Sequence, residues 1–280
     1  MALETPQNKI LLSAHLSVRY AEKPVLRGVQ LEVRCGEVMG LVGQSGSGKS
    51  TLAMAILGLL EKKRARVDGT LRFQDCDLLQ LSERELRALR GRAIALVLQS
   101  PLSSLNPALK IRTQLKEAWR AHASGTPSDC ETVIRTALEN VSLPADNEFL
   151  RKYPSQMSVG QAQRVLIAMA VMHRPALLIA DEATSALDVI TQSEILALFR
   201  ELNRSTGMAI LYISHDLASV AGICDRIAIL HQGQIVERGT TEQIFAHPQH
   251  EYTQRLMAAM PRILPAGANL NRKTEAAVAR

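Results

Sequence analysis

The chain has 280 residues, 46% of them hydrophobic, enough for one large α/β unit with a smaller inserted subdomain around a sizeable core. Its net charge of +6 is interleaved with acids along the whole length, and aromatic residues make up only 3% of the chain, so a stacking platform is hard to build and no nucleic-acid partner is expected. Apolar stretches break at a charge or glycine well short of the roughly 18 residues a bilayer span needs. The N-terminus lacks a basic flank followed by an apolar run, so no export signal is read and the chain is expected in the cytoplasm. Cys35, Cys76, Cys130 and Cys224 stand far apart without a C-x-x-C pair, which fits reduced thiols rather than a disulfide framework or zinc site.

Taken from the N-terminus, the alternating segments Leu11 to Tyr20 and Val25 to Val33 read as antiparallel strands with one wet face. Continuous apolar runs follow at Glu37 to Val42, Ala93 to Leu98, Ala176 to Ala180, Met208 to Ile213 and Arg226 to Leu230. Runs of that kind suit parallel strands covered on both faces. Between the second and third, helical periodicity at Thr113 to His122 and Cys130 to Val141, bounded by proline-containing stretches, marks an inserted helical subdomain at about 100–170. Residues 1–260 are read as one nucleotide-binding unit, and 261–280, polar and rich in small residues, as a loose tail.

Gly43-Gln44-Ser45-Gly46-Ser47-Gly48-Lys49-Ser50 fits G-x-x-x-x-G-K-[ST] between an apolar strand and the helical run Thr51 to Leu60. Glycines let such a loop wrap phosphates with its backbone N–H groups, and the next helix turns its positive end to the anion. Lys49 is expected to reach the β- and γ-phosphates, and the Ser50 hydroxyl to hold Mg²⁺. Leu177 to Glu182 is an apolar strand ending in two carboxylates, which places charge at the edge of the sheet where ligands bind. Asp181 suits a Mg²⁺ contact and Glu182 the polarising of an attacking water. Tyr212 to Asp216 repeats the pattern, with His215 at the tip, able to hydrogen-bond a γ-phosphate or hold the water in line with Glu182.

With these residues in view, the chain from about Ile10 to Met260 resembles the ATP-binding-cassette family. Carrying the resemblance further are Gln99 after the second apolar run, Ser158-Val159-Gly160-Gln161 before a long helix, and Ser185-Ala186-Leu187-Asp188 after Glu182, all in the family's order. The resemblance implies an α/β fold, a P-loop NTPase (RecA-like) core with an antiparallel β subdomain and an inserted α-helical subdomain. It also implies ATP and Mg²⁺ as ligands. Gly43, Ser45, Gly46, Gly48, Lys49, Ser50 and Thr51 then cradle the phosphates, Tyr20 stacks on the adenine, Gln99 contacts Mg²⁺ or water, and Asp188 organises a dimer interface. Ser158, Gly160 and Gln161 belong to the signature, normally LSGGQ, which in a head-to-tail dimer closes over ATP held by the other subunit. Ser158 and Gln161 also have capping-box spacing for the helix that follows.

Three positions depart from the family pattern: Met157 for Leu, Val159 for the first Gly of the signature, and Ala183 for Pro. A β-branched residue resists φ > 0 and close backbone approach, so Val159 is expected to strain the helix entry and weaken the ATP site it completes. Gln99 to Pro107 and the His247-Pro248 and Glu251 to Leu256 stretches are similar to the dipeptide, oligopeptide and nickel importers, most closely the D-type subunit. That branch implies a second ATPase subunit in a heterodimer, two transmembrane permeases and an extracytoplasmic substrate-binding protein. It places the chain peripherally on the cytoplasmic face of the inner membrane. Some peptide-importing relatives carry a C-terminal cysteine cluster; no cysteine follows Cys224 here, which leans the expected cargo toward nickel or a metal chelate.

Overall fold

The computed structural model describes residues 9–61 and 63–260, so the tail expected at 261–280 lies outside the described residues. The chain opens with two long strands, β1 (Ile10–Tyr20) and β2 (Lys23–Arg34), followed by β3 (Val38–Val42) and helix α1 (Lys49–Ile56). Next come β4 (Ala65–Phe73), β5 (Cys76–Asp77), α2 (Glu83–Leu89) and β6 (Ile94–Val97). Five helices separate β6 from the next strand: α3 (Pro101–Ser104), α4 (Ile111–Arg120), α5 (Pro127–Glu139), α6 (Asn147–Leu150) and α7 (Val159–Val171). The rest of the chain is β7 (Leu177–Asp181), α8 (Val189–Thr206), β8 (Ala209–Ser214), α9 (Leu217–Ile223), β9 (Arg226–His231), β10 (Gln234–Thr240), α10 (Thr241–Ala246) and α11 (Glu251–Ala258).

The strands form an antiparallel sheet in the order β2-β1-β4-β5 and a six-stranded sheet in the order β10-β9-β3-β8-β7-β6. In the second sheet β9, β3, β8, β7 and β6 run parallel, and β10 pairs antiparallel to β9 at the edge. This is the α/β architecture expected from the apolar runs, and it explains why they are continuous. Along β7, Leu178 and Ala180 enter one core while Leu177 and Ile179 enter the other; along β8, Ile210 and Tyr212 divide in the same way from Leu211 and Ile213. A strand whose side chains alternate between two buried faces has no position left for a polar residue. One core lies between the parallel sheet and the helices α4 to α9, and the other packs the antiparallel sheet and α1 against the opposite face.

Local chemistry sets the boundaries. Helix α5 begins earlier than the periodicity suggested because Thr126 caps it reciprocally with Asp129 and Pro127 takes the first turn, where no N–H is needed. Helix α1 starts at Lys49 and ends at Ile56, short of the predicted Leu60, where Gly58 turns left-handed at φ 62°. Strand β4 escapes the sequence pattern: Arg66, Asp68 and Gly69 blur its alternation, and only Leu71 and Phe73 are buried.

Candidate nucleotide site

The loop Gly43–Gly48 joins the carboxyl end of β3 to the first turn of α1. Gly43 lies against the neighbouring strand so closely that a Cβ there would stand 2.2 Å from the Leu230 carbonyl oxygen, which no side chain could tolerate. Gly46 and Gly48 have φ of 77° and 108°, and Gly48 is the N-cap of α1. The Lys49 side chain is buried and curls back over the loop, donating to the carbonyls of Gly43 at 2.8 Å and Gln44 at 3.1 Å. Its ammonium also lies 3.5 Å from Glu182 Oε1, with side chains only 4% and 18% exposed.

Parallel pairing of β3, β8 and β7 brings their three ends together. Asp181 closes β7; its carboxyl is pushed up by burial, drawn back by a hydrogen bond from the Ser50 side chain, raised by Glu182 and lowered by Lys49. Its Oδ1 and the buried Ser47 hydroxyl have no protein hydrogen-bond partner. Glu182 has φ of +49°, a left-handed conformation costing on the order of 1–3 kcal/mol for a residue with a side chain. Its N–H donates to the Ile213 carbonyl at 2.9 Å, and its carbonyl accepts from the Ser185 hydroxyl at 3.0 Å. So held, its second carboxylate oxygen lies 3.4 Å from His215 Nδ1, and His215 remains half exposed. Glu182, Ser185, Gln192, His215 and Asp216 line a cavity of about 220 Å³.

The other expected residues stand apart from this cluster. Gln99 lies exposed two residues beyond β6, leaving the same sheet edge as Asp181, since Val97 pairs with Ala180. Tyr20 ends β1 opposite Lys23 and Ala65, half-buried against the second core. Thr51 lies half-buried in the first turn of α1, and Ser45 is exposed on the loop. Ser158, Gly160 and Gln161 open α7 on the helical layer, and no hydrogen bond or ion pair among the described residues joins them to the loop.

At that helix entry one expectation is overturned. Val159 is the first residue of α7 and its φ is not positive, so its β-branch meets no dihedral strain. Ser158 accepts from the Gln161 N–H and Gln161 Oε1 accepts from the Ser158 N–H, each at 3.2 Å, a complete capping box formed with valine in place. The second glycine is the constrained one: a Cβ on Gly160 would lie 2.7 Å from Thr191 Cγ2 of α8.

Comparison with known proteins now decides the family. Residues 26–185 match the ABC transporter family, and residues 236–279 match the oligopeptide/dipeptide transporter C-terminal region. The chain belongs to the ABC transporter family. It is 42% identical over 246 residues to the dipeptide transport ATP-binding protein DppD of Bacillus subtilis, covering 88% of this chain and 73% of that protein. It is 41% identical over 244 residues to the glutathione import ATP-binding protein GsiA of Salmonella typhimurium, covering 85% of this chain but only 39% of that longer protein. Among solved structures it resembles the dimeric, post-hydrolysis ATP-binding cassette MJ0796 bound to ADP and Pi, with TM-score 0.71, 25% identity, and 82% of this chain and 98% of that one covered. It also resembles cbiO1 from Clostridium perfringens, with TM-score 0.74, 25% identity, and 91% and 98% coverage. The chain is therefore an ATP-binding, ATP-hydrolysing transport ATPase.

Two features of this ABC ATPase's site were not assigned to it from the sequence. Beneath Glu182 and His215 runs a buried hydroxyl network: Thr184 and Tyr212 hydroxyls 2.9 Å apart, and Tyr212 donating to Ser219 at 3.3 Å. Burial pushes the Tyr212 phenol up, so it stays a neutral donor. A lone tyrosine in the aliphatic run Ala209–Ser214 was the available signal. The second feature is Tyr252 of α11, whose hydroxyl accepts from the Gln44 N–H of the Gly43–Gly48 loop.

Proposed function

We propose that this chain energises uptake of short peptides through partner permeases, its loop Gly43–Ser50 holding the phosphates of ATP and Glu182 activating the attacking water. The observation that carries the chemistry is the line from buried Lys49 through Glu182 to half-exposed His215, where three adjacent strands end. Lys49 compensates the β- and γ-phosphate charge, joined by loop amides and the α1 N-terminus. Glu182, held in its left-handed turn, accepts the water's proton, and His215 fixes the carboxylate and the γ-phosphate in line. The unpartnered Asp181 Oδ1 and the Ser50 hydroxyl form a hard-oxygen pair that suits Mg²⁺, with Gln99 as a further ligand. When bound, Mg²⁺ neutralises charge that builds on the phosphate oxygens. Tyr20 stacks on the adenine.

The signature at Ser158–Gln161 serves a second ATPase subunit, closing over that subunit's ATP. Beside it Val189 and Ile190 are 81% and 75% exposed, an apolar pair suited to a covering protein face. Two permeases fed by an extracytoplasmic binding protein complete the assembly, and the chain sits peripherally on the inner membrane's cytoplasmic face. No helix among the described residues is long and apolar enough to cross a membrane. An apolar groove of about 270 Å³, lined by Leu96, Leu98, Leu166, Met169, His122 and His173 next to Gln99, is where a permease helix docks.

A peptide cargo is favoured over the nickel that the missing cysteine cluster had suggested. The C-terminal match is to oligopeptide and dipeptide transporters, and the relatives named above carry dipeptide and glutathione. The experiment is uptake of a labelled dipeptide and of radioactive nickel by cells expressing either the native chain or Lys49→Ala. Dipeptide uptake lost with Lys49→Ala, nickel uptake unaffected, is the expected result; loss of nickel uptake alone would overturn the cargo assignment. Purified Lys49→Ala should bind ATP about 100-fold more weakly, since two charge-assisted hydrogen bonds disappear.

A further inference from the structure

The peptide bond between Gly43 and Gln44 is gripped from both sides. Its carbonyl accepts from Lys49 Nζ at 2.8 Å, and its N–H, on Gln44, donates to the Tyr252 hydroxyl at 3.2 Å. Tyr252 lies in α11, some two hundred residues further along the chain, and is buried. Its ring stacks on His231, at the end of β9, with centroids 3.8 Å apart and planes 24° from parallel. The base of α11 is fixed in turn: Glu237 of β10 accepts from the N–H of Gln249 at 2.7 Å and of His250 at 3.0 Å, and His250 Nδ1 accepts from the Tyr252 N–H at 3.1 Å. The turn between β9 and β10 adds a bond from the Gly233 N–H to the Ser47 carbonyl at 3.1 Å.

Satisfying the Gln44 amide is not reason enough for a tyrosine. Gln44 is exposed, so water could serve its N–H, and a phenylalanine would keep the stack on His231. What the hydroxyl adds is direction. A peptide plane bonded at both its oxygen and its N–H cannot rotate without breaking two mutually polarising bonds, and the oxygen-side partner is the Lys49 ammonium. We propose that Tyr252 is a positioning residue for ATP binding, through which the C-terminal region sets the orientation of the Gly43–Gln44 peptide and so of Lys49. The proposal rests on reading Gly43–Ser50 as the phosphate loop.

The test is Tyr252→Phe in the full chain assembled with its partner subunits. Expected are a KM for ATP raised about 3- to 10-fold, the weight of one neutral hydrogen bond, and a smaller change in kcat. Amide hydrogen exchange at Gln44 should quicken while exchange in β3 and α1 is unchanged. A role in packing alone would lower Tm and leave KM and Gln44 exchange where they were, and that result overturns the proposal. Lys49→Ala separates the two levels. Should it leave ATP affinity intact, the phosphate-loop reading itself fails; should it abolish binding while Tyr252→Phe alters neither KM nor Gln44 exchange, only the Tyr252 role fails.

Discussion

The two regions proposed to face ATP are built in opposite ways. At the carboxyl edge of the parallel sheet, Lys49, Asp181 and Glu182 are largely buried: Lys49 pairs with Glu182 and donates to two loop carbonyls, and Asp181 accepts from the Ser50 side chain. The entry of α7 instead turns outward: Ser158 and Val159 are exposed, their hydrogen bonds end within the capping box, and exposed Val189 and Ile190 lie close by. A cluster of charges is worth burying only where partners are supplied on the spot. A helix end that is capped by its own side chains needs no other element of the chain and is free to be offered to another molecule. The first region is a site with its chemistry assembled in the chain, and the second is a surface whose function lies in what it meets.

The sharpest way to break this comparison is Glu182→Gln. The amide keeps the shape of the carboxylate but neither its charge nor its basicity, so turnover of the assembled transporter should fall on the order of 10²–10⁴-fold. ATP binding should survive, or tighten once the pairing with Lys49 is gone. Single-turnover hydrolysis measured beside a nucleotide titration checks both, and near-normal turnover would remove Glu182 from its role.

Much of the inner region could be read from the sequence because its determinants are local. A glycine-rich loop between an apolar strand and a helix, and carboxylates ending the run Leu177–Ala180, each need only a few consecutive residues. Three things could not be read that way. Strand β4 carries charges on its exposed face and shows its alternation only at Leu71 and Phe73. The hydroxyl network of Thr184, Tyr212 and Ser219 joins a turn, a strand and a helix, and no spacing encodes it. The bond from Gln44 to Tyr252 spans 208 positions. Val159 failed in the other direction: the family pattern suggested strain, whereas the first turn of a helix has ordinary dihedrals and admits valine.

A second prediction sharpens the idea of a presented surface. Val189→Asp combined with Ile190→Asp changes side chains that are 81% and 75% exposed, so the isolated chain should keep its Tm within a degree or two. Assembly with the second ATPase subunit should weaken at least tenfold, since two charges must then be desolvated at the contact. Size-exclusion chromatography with Mg²⁺-ATP and the hydrolysis-deficient Glu182→Gln background reads the difference, and undiminished assembly would mean this face stays in solvent.

An effect of similar size is expected at Gly160. A Cβ there meets Thr191 Cγ2 at 2.7 Å, so Gly160→Ala forces α7 and α8 apart or turns Thr191 off its rotamer. Overpacking of this kind costs about 1–3 kcal/mol and should appear as a lower Tm. Adding Thr191→Ser, which removes the offending methyl and keeps the hydroxyl bonded to Asp188 at 2.7 Å, should restore most of it. Failure of the second change to rescue the first would show that the glycine is required for a reason outside this contact.

The smallest effect belongs to Val159→Gly, and its sign decides whether the departure from the family signature lies in this chain or between chains. Were valine strained at the helix entry, glycine would stabilise the isolated subunit. The structure has Val159 in the first turn of α7 without a positive φ, behind a complete capping box, so no strain is there to be relieved. Glycine should lower stability by up to about 1 kcal/mol, the usual helix penalty, and less if the first turn tolerates it well. Any gain must then arise where the side chain, 37% exposed, would meet the nucleotide of the proposed second subunit. The two readouts are Tm of the chain alone and nucleotide trapping at each site of the assembled pair. The expected outcome is a Tm unchanged or slightly lower, with hydrolysis faster at the partner's site than at the site of Lys49 and Glu182. A raised Tm would return the strain to this helix, and equal, unaltered turnover at both sites would show that the second subunit accommodates valine as readily as glycine.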